Sequence, residues 1–369
     1  MIKIFIGGFA MSTGLPASLK HIRNFQEPLK FGKDGKFRIL HLTDIHEVDP
    51  AMETDCGPFE PLQKTLETLN VIEKCIEATN PDLVVFGGDN LSGFWEEYTY
   101  EYMVSTIRNI IEPVARRNIP LAVVFGNHDS EGEEIRTFMR REIQIAYYAQ
   151  YGNFRGSMND EDVTGCGNYA LPILSSDESR IAWNIWCMDS GDYVRDEHHL
   201  CVGGAGYAKI ADDQIEWYER RAAELRAQNG GKPVPAILFQ HIPVRQEYDM
   251  LERVPEGTPN SVGGSDNCYL PKQGVFSRGV MRELPCPPHD ESGQFESWKR
   301  TGDIVAAFFG HDHVNTFVGE LDGIKLVQTV CAGYHSYGKE RGGRLIILDE
   351  NVTDDLYTET VTVEKTVHI

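Results

Sequence analysis

Leu121-Ala122-Val123-Val124-Phe125-Gly126-Asn127-His128-Asp129 is the stretch on which the fold turns: an apolar, β-branched run, entered through Pro120, breaks off into residues that coordinate, donate or turn. A run of this kind reads as a buried strand of a parallel sheet. Such sheets hold their chemistry just past the carboxyl ends of the strands. Asn127, His128 and Asp129 therefore stand where a site would be built. For this peptide alone, a polar turn capping a strand explains the residues equally well. Recurrence of the pattern separates the two readings.

The pattern does recur. Phe37-Arg38-Ile39-Leu40-His41-Leu42 follows the turn-like Lys33-Asp34-Gly35 and runs into Thr43-Asp44-Ile45-His46. Leu62, Leu66, Leu69, Ile72, Cys75 and Ile76 then repeat at helical spacing until Asn80-Pro81, where a helix should stop. Leu83-Val84-Val85-Phe86 is the next buried run and ends in Gly87-Gly88-Asp89-Asn90. A helix expected from about Tyr102 to Arg116 leads back to the opening stretch. Strand, helix, strand, helix, strand is the signature of βαβ units and an α/β protein.

Downstream, a helix is expected from about Glu133 to Gln150, then a polar, glycine-rich loop from Gly152 to Gly167 and weaker strands at Tyr169 to Ile173 and Ile181 to Met188. Asp212 to Gln228 is amphipathic, with Asp212 as expected cap and Gly230-Gly231 as stop. Ala236-Ile237-Leu238-Phe239 ends in Gln240-His241-Ile242-Pro243, and Ile304 to Phe309 ends in Gly310-His311-Asp312-His313. Between them, about 245 to 300, Pro, Gly and charge without periodicity predict a surface insertion rather than core. Short strands at Thr316 to Glu320, Ile324 to Val330 and Arg344 to Leu348 close the sheet. The expectation is a leader over residues 1–34 and a single domain over 35–369 carrying that insertion.

With 369 residues, 41% hydrophobic and 25% charged, the chain has the composition of an ordinary globular protein. A net charge of -21 argues against partnership with nucleic acid or an anionic membrane, because the overall field repels both. An anionic substrate would need local positive charge, which a bound metal supplies. The start, Met1-Ile2-Lys3-Ile4-Phe5-Ile6-Gly7-Gly8, has a borderline signal-peptide shape. A cytoplasmic protein with a loose leader is the expectation, secretion the alternative. Eight cysteines without CxxC spacing demand neither disulfides nor a metal cluster, and Cys75 and Cys187 fit small core positions.

Five strand ends thus carry Asp44 and His46, Asp89, Asn127 and His128, His241, and His311 and His313. A lone histidine is usually a satisfied core or surface residue, but turn chemistry does not place all of these at equivalent ends of one sheet. Two carboxylates, one amide oxygen and four of these five imidazoles make a mixed donor set suited to a pair of Zn, Mn or Fe ions rather than Ca or Mg. Gly88, Gly126 and Gly310 precede these residues, where close packing or a positive φ would be needed.

Asp44-Ile45-His46, Gly88-Asp89, Gly126-Asn127-His128-Asp129, His241 and Gly310-His311-Asp312-His313 resemble, in order, the blocks of the calcineurin-like metallophosphoesterases. Within that family the chain looks most like single-domain proteins similar to plant purple acid phosphatases, with further likeness at Gly167-Asn168-Tyr169, Asp189-Ser190-Gly191-Asp192-Tyr193 and Gly333-Tyr334-His335. The resemblance implies a two-sheet α/β sandwich flanked by helices and a dinuclear centre of divalent or mixed-valence ions. Asp44, His46 and His313 would hold one ion, Asn127, His241 and His311 the other, with Asp89 bridging. His128 would face a small phosphorylated substrate and serve the leaving oxygen while a metal-bridging hydroxide attacks phosphorus. Phosphomonoesters are the expected substrates; a phosphodiesterase or nuclease of the same superfamily is the alternative, followed by a non-catalytic scaffold. The sequence departs from true purple acid phosphatases at Ser92, where those enzymes have the tyrosine that binds ferric iron, and at His46, where they have glycine.

Overall fold

Apolar runs become strands, and the strands stack in two layers. The computed structural model describes residues 28–52, 59–93, 98–133, 136–195 and 206–364. The chain forms β1 (Leu29–Lys30), β2 (Lys36–Leu42), α1 (Phe59–Thr79), β3 (Leu83–Gly87), α2 (Tyr100–Ala115) and β4 (Leu121–Val124). It continues through α3 (Arg141–Tyr148), β5 (Tyr169–Leu174), β6 (Ile181–Cys187), α4 (Asp212–Gln228) and β7 (Ala236–Phe239). The connection that follows holds β8 (Leu251–Val254), β9 (Val262–Gly264), β10 (Asn267–Pro271), β11 (Phe276–Arg278) and α5 (Gln294–Thr301). The last elements are β12 (Ile304–Phe309), β13 (Val318–Leu321), β14 (Ile324–Gln328), β15 (Gly342–Asp349) and β16 (Tyr357–Thr362).

One sheet runs β16-β15-β2-β3-β4, the other β1-β5-β6-β7-β12-β14-β13-β11. The β2-β3-β4 trio is parallel, as is β6-β7-β12-β14. Phe37, Ile39, Leu83, Val85 and Val124 on one inner face meet Trp183, Ile185, Ile237, Phe239 and Phe308 on the other in one buried cluster. Strands covered on both sides need apolar residues at successive positions, which is why β3 and β4 lack alternation. On the outer faces, α1 and α2 pack over Leu40, Val84 and Val123, and α4 and α5 over Trp186, Leu238 and Phe309. The result is the two-sheet α/β sandwich flanked by helices that the sequence suggested. Among the described residues no helix is long and apolar enough to cross a membrane.

Several local expectations are corrected. β1 pairs in parallel with β5 through Leu29↔Ile173, and Leu29 and Phe31 are buried, so the packed chain begins ahead of residue 35; the leader up to residue 27 lies outside the described residues. Leu62 and Leu66 of α1 are exposed, whereas Thr65, Thr68, Ile72 and Cys75 face inward, because that stripe meets polar loop ends as well as core. The predicted helix over 133–150 shortens to α3. α4 is capped at Ala211, whose N–H donates to Gln214 Oε1 at 2.9 Å, not by Asp212.

The largest correction concerns about 245 to 300. Only β8, β9 and β10 stand apart, as a three-stranded sheet. β11 joins the main sheet beside β13, and Met250, Phe295 and Trp298 are buried in the outer core. Truncating a buried tryptophan costs about 3–5 kcal/mol, so α5 is core, hidden in the sequence by the charges on its other face. Cys75 and Cys187 are buried and free, as expected of core positions.

Candidate metal centre

The parallel strands of both sheets end on the same side. β2, β3 and β4 deliver Asp44 and His46, Asp89, and Asn127 and His128; β7 and β12 deliver His241, and His311 and His313. The chain must turn sharply there, and Asp44, His46, Asp89 and His311 adopt positive φ of 51°, 47°, 49° and 72°. Each such non-glycine residue costs about 1–3 kcal/mol and persists only where its surroundings enforce it. Hydrogen bonds do so: Asp44 N to Gly88 O at 3.0 Å and His46 N to Asp89 O at 2.8 Å. The Asp129 carboxylate accepts from Asn90 N, Leu91 N and Gly126 N at 2.8–2.9 Å. Asp129 therefore braces two loops from behind and is not in the pocket. Gly88 has φ 97°, and a Cβ on Gly310 would run into Thr43 and Asp44, so both glycines are there for the reasons the sequence suggested.

The donor atoms form two overlapping groups. Those of Asp44, His46, Asp89 and His313 lie within 4.8 Å of one another, as do those of Asp89, His241 and His311. Asp89 belongs to both. His313 Nε2 is 3.3 Å from Asp44 Oδ1, and 3.2 Å from His46 Nε2. His241 Nε2 is 2.9 Å from Asp89 Oδ2. Asn127 is buried, its Oδ1 without a protein partner, while its Nδ2 donates to Tyr193 OH at 3.0 Å.

These contacts test whether ions fit. His241 Nδ1 lies 3.0 Å from Gly87 O, so Nδ1 carries a proton and Nε2 is the atom turned on the Asp89 carboxylate. That contact needs positive charge at Nε2, which a proton or a metal ion supplies. Burial pushes the His46 and His311 pKa down to about 3, giving the neutral imidazoles that metal binding demands. Burial also works against charge on His241, but Asp89 and Asp44 outweigh it and raise its pKa to about 9. Two buried carboxylates that draw a proton so strongly draw a divalent cation more strongly still. Asp44 and Asp89 resist burial because the surrounding histidines hold their pKa values below the usual range. The residues present fit two ions.

His128 is different. It is not in either donor group; its N–H donates to Asp89 Oδ1 at 2.7 Å and its Nδ1 is 2.8 Å from Glu131 Oε2. Burial lowers its pKa, and Asp89 and Glu131 more than reverse this, to about 9. Glu131 Oε1 accepts from Tyr193 OH at 3.0 Å, so Glu131 and Tyr193 link His128 to Asn127. The sequence reasoning missed Glu131, although a carboxylate three residues beyond a histidine in a turn is the signal that would have found it.

Ser92 donates to His46 O at 2.9 Å and lies 3.5 Å from His46 Nδ1, supporting a ligand histidine instead of offering a phenolate. The first two blocks of finer resemblance act as braces: Tyr169 OH accepts from Val123 N and donates to Val123 O, tying the sheets together, while Asp189 pairs with Arg141, which donates to Gly126 O at 2.9 Å. A pocket of about 400 Å³ opens over the centre, lined by His46, Asp89, His128, His311 and His313 together with Tyr207, Glu283, Leu284, Cys286, His335 and Tyr337.

The sequence profile of the calcineurin-like phosphoesterases matches residues 37–315. The chain belongs to this family. Two relatives from Arabidopsis thaliana carry the names probable inactive purple acid phosphatase 29 and 14; each is 29% identical, covering 88% and 84% of this chain and 79% and 74% of theirs. The phosphatase DCR2 of Saccharomyces cerevisiae is 26% identical over 77% of this chain and 45% of its own length. Among solved structures, a dimetal phosphatase from Danio rerio superposes with a TM-score of 0.48 at 12% identity, covering 89% of this chain and 99% of that one.

Proposed function

We propose that the protein is a dinuclear-metal-dependent phosphoesterase that hydrolyses small phosphomonoesters. The observation that carries this is the pair of donor groups sharing Asp89, with His128 outside both but lining the same pocket. Asp44, His46 and His313 would hold one ion and Asn127, His241 and His311 the other, Asp89 serving both; Mn, Zn and Fe suit these donors. When bound, two such ions neutralise phosphate charge and acidify water.

The chain's own residues do the rest. Gly87 O fixes the His241 ring, and Tyr193 turns the Asn127 amide so that its oxygen faces inward. Glu131 holds the His128 imidazole, and the Asp89 carboxylate pins its backbone. His128 is thereby set to give a proton to the leaving oxygen, the task a positioned imidazole performs in general-acid catalysis.

The names of the plant relatives favour a second reading, phosphate binding without turnover. No ligand position of the family pattern is missing from this chain, which supports the catalytic reading. A diesterase or nuclease would need a basic groove, and a chain of net charge -21 is poorly suited to one. The test is a panel of phosphomonoesters, diesters and nucleotides with Mn, Zn and Fe supplied separately and metal content measured. Turnover of monoesters by protein holding two ions per chain is expected. Two ions with no hydrolysis of any ester would favour the binding role.

A further inference from the structure

We propose that the pocket selects phosphomonoesters whose alcohol part is a compact aromatic or apolar group without further negative charge, and turns away substrates with a second phosphate or a carboxylate. This rests on the phosphoesterase reading above and concerns the walls rather than the metal ligands. Two aromatic rings lean on the two histidines of the last strand end. Tyr207 meets His311 edge-on at 4.5 Å and 88°, and Tyr337 stacks on His313 at 4.1 Å and 17°. Tyr337 is 55% exposed, so part of its ring remains open to a second planar group. Leu284 adds an aliphatic surface to the same lining. Aromatic and aliphatic walls of this kind bind apolar rings.

Charge points the same way. Among the described residues, the lining has no lysine or arginine, while Glu283 belongs to it. Glu283 is held rigidly: one carboxylate oxygen accepts from Val314 N at 3.0 Å, the other from Tyr337 OH at 2.7 Å. It cannot swing aside for an approaching anion. The arginines adjoining the lining segments are engaged elsewhere, Arg282 in a two-pronged pair with Glu340 at 2.9 and 3.0 Å and Arg341 over the Tyr334 ring, with a bond to Ser336 O at 2.8 Å. The metal centre can neutralise one phosphate. A second anionic group would lie against a fixed carboxylate with no described lysine or arginine to receive it, in a field already set by an acidic chain.

The test uses the metal-loaded full chain and substrates of similar leaving-group chemistry: benzyl phosphate, n-propyl phosphate and 3-phosphoglycerate, with metal content checked after each assay. Benzyl phosphate should exceed n-propyl phosphate in kcat/KM by about tenfold and 3-phosphoglycerate by about a hundredfold. Tyr337→Ala should raise KM for benzyl phosphate more than it changes kcat. Glu283→Gln should raise the ratio of 3-phosphoglycerate to n-propyl phosphate turnover at least threefold. Equal rates on all three esters, or faster hydrolysis of 3-phosphoglycerate, overturn the inference while leaving the phosphoesterase reading intact. Should no ester be hydrolysed, that reading fails, and calorimetric binding of benzylphosphonate against 3-phosphonopropionate to the same protein still decides the selectivity: tighter benzylphosphonate supports it, equal or weaker binding overturns it.

Discussion

The base of the pocket and its wall are built on opposite principles. At the base, side chains come from strand ends, are almost wholly buried, and sit on a backbone forced into positive φ at Asp44, His46, Asp89 and His311. The wall comes from irregular chain: Glu283, Leu284 and Cys286 precede α5, and Tyr337 follows β14, half-buried or exposed. Rigid elements locate the groups that must act on a common atom, whereas loops locate those that differ between substrates. Errors of a few tenths of an ångström matter only at the base.

The sharpest way to break the contrast is at Asp89, the residue both donor groups share. Asp89→Ala should lose metal and activity together, turnover falling by roughly 10³-fold or more, because the same change removes the acceptor for His128 N–H. Elemental analysis alongside a rate assay checks this; a variant that keeps two ions and full turnover would show that the base does not work as a unit.

Next in size is His128→Ala. Since His128 stands outside the donor groups, metal content should be retained while turnover falls by roughly 10²-fold. Loss of metal in this variant would instead place the imidazole among the ligands.

Glu131→Gln should cost about 10-fold, the lower end of what partners behind a functional histidine usually contribute. Its signature is selective: the loss should be largest on alkyl phosphates, whose leaving oxygens need a proton, and small on nitrophenyl phosphate, whose leaving oxygen does not. A uniform loss across leaving groups would mean that Glu131 merely supports the loop.

The same contrast explains what could be read in the sequence. Buried parallel strands require apolar runs, so each of the five donor-bearing strand ends was marked by the break from apolar to polar, and all eight proposed site residues line up on one side of the sandwich. The wall had no such marking. Glu283 finds Tyr337 across 54 residues, and half-exposed positions carry no period. α5 was hidden for a related reason, since Phe295 and Trp298 are its only large apolar residues. Glu131 and Tyr193 were hidden because polar positioning residues look like ordinary loop.

Base and wall share a buried polar contact whose pH response is the smallest effect expected. Gln328 Nε2 donates to Glu247 at 3.1 Å, where the wall-bearing connection begins, and to Asp312 Oδ2 at 3.0 Å, between His311 and His313. Burial raises the Glu247 pKa from 4.5 to about 8, with Gln328 pulling the other way, and Asp312 is raised well above its ordinary value too. Between pH 4.5 and 8 the folded protein therefore binds more protons here than the unfolded chain. Stability must fall as pH rises through that window and level off above it, with a full slope of about 1.4 kcal/mol per unit for one group. Asp312 competes for the same amide and broadens the titration, so a fall of about 2 kcal/mol between pH 6 and 8 is expected. Glu247→Gln keeps an acceptor for Gln328 but removes the charge. Its urea midpoint relative to the parent should climb over that range, and parallel curves would mean that Glu247 is already ionised in the fold and that the wall is rooted by an ion rather than by a shared proton.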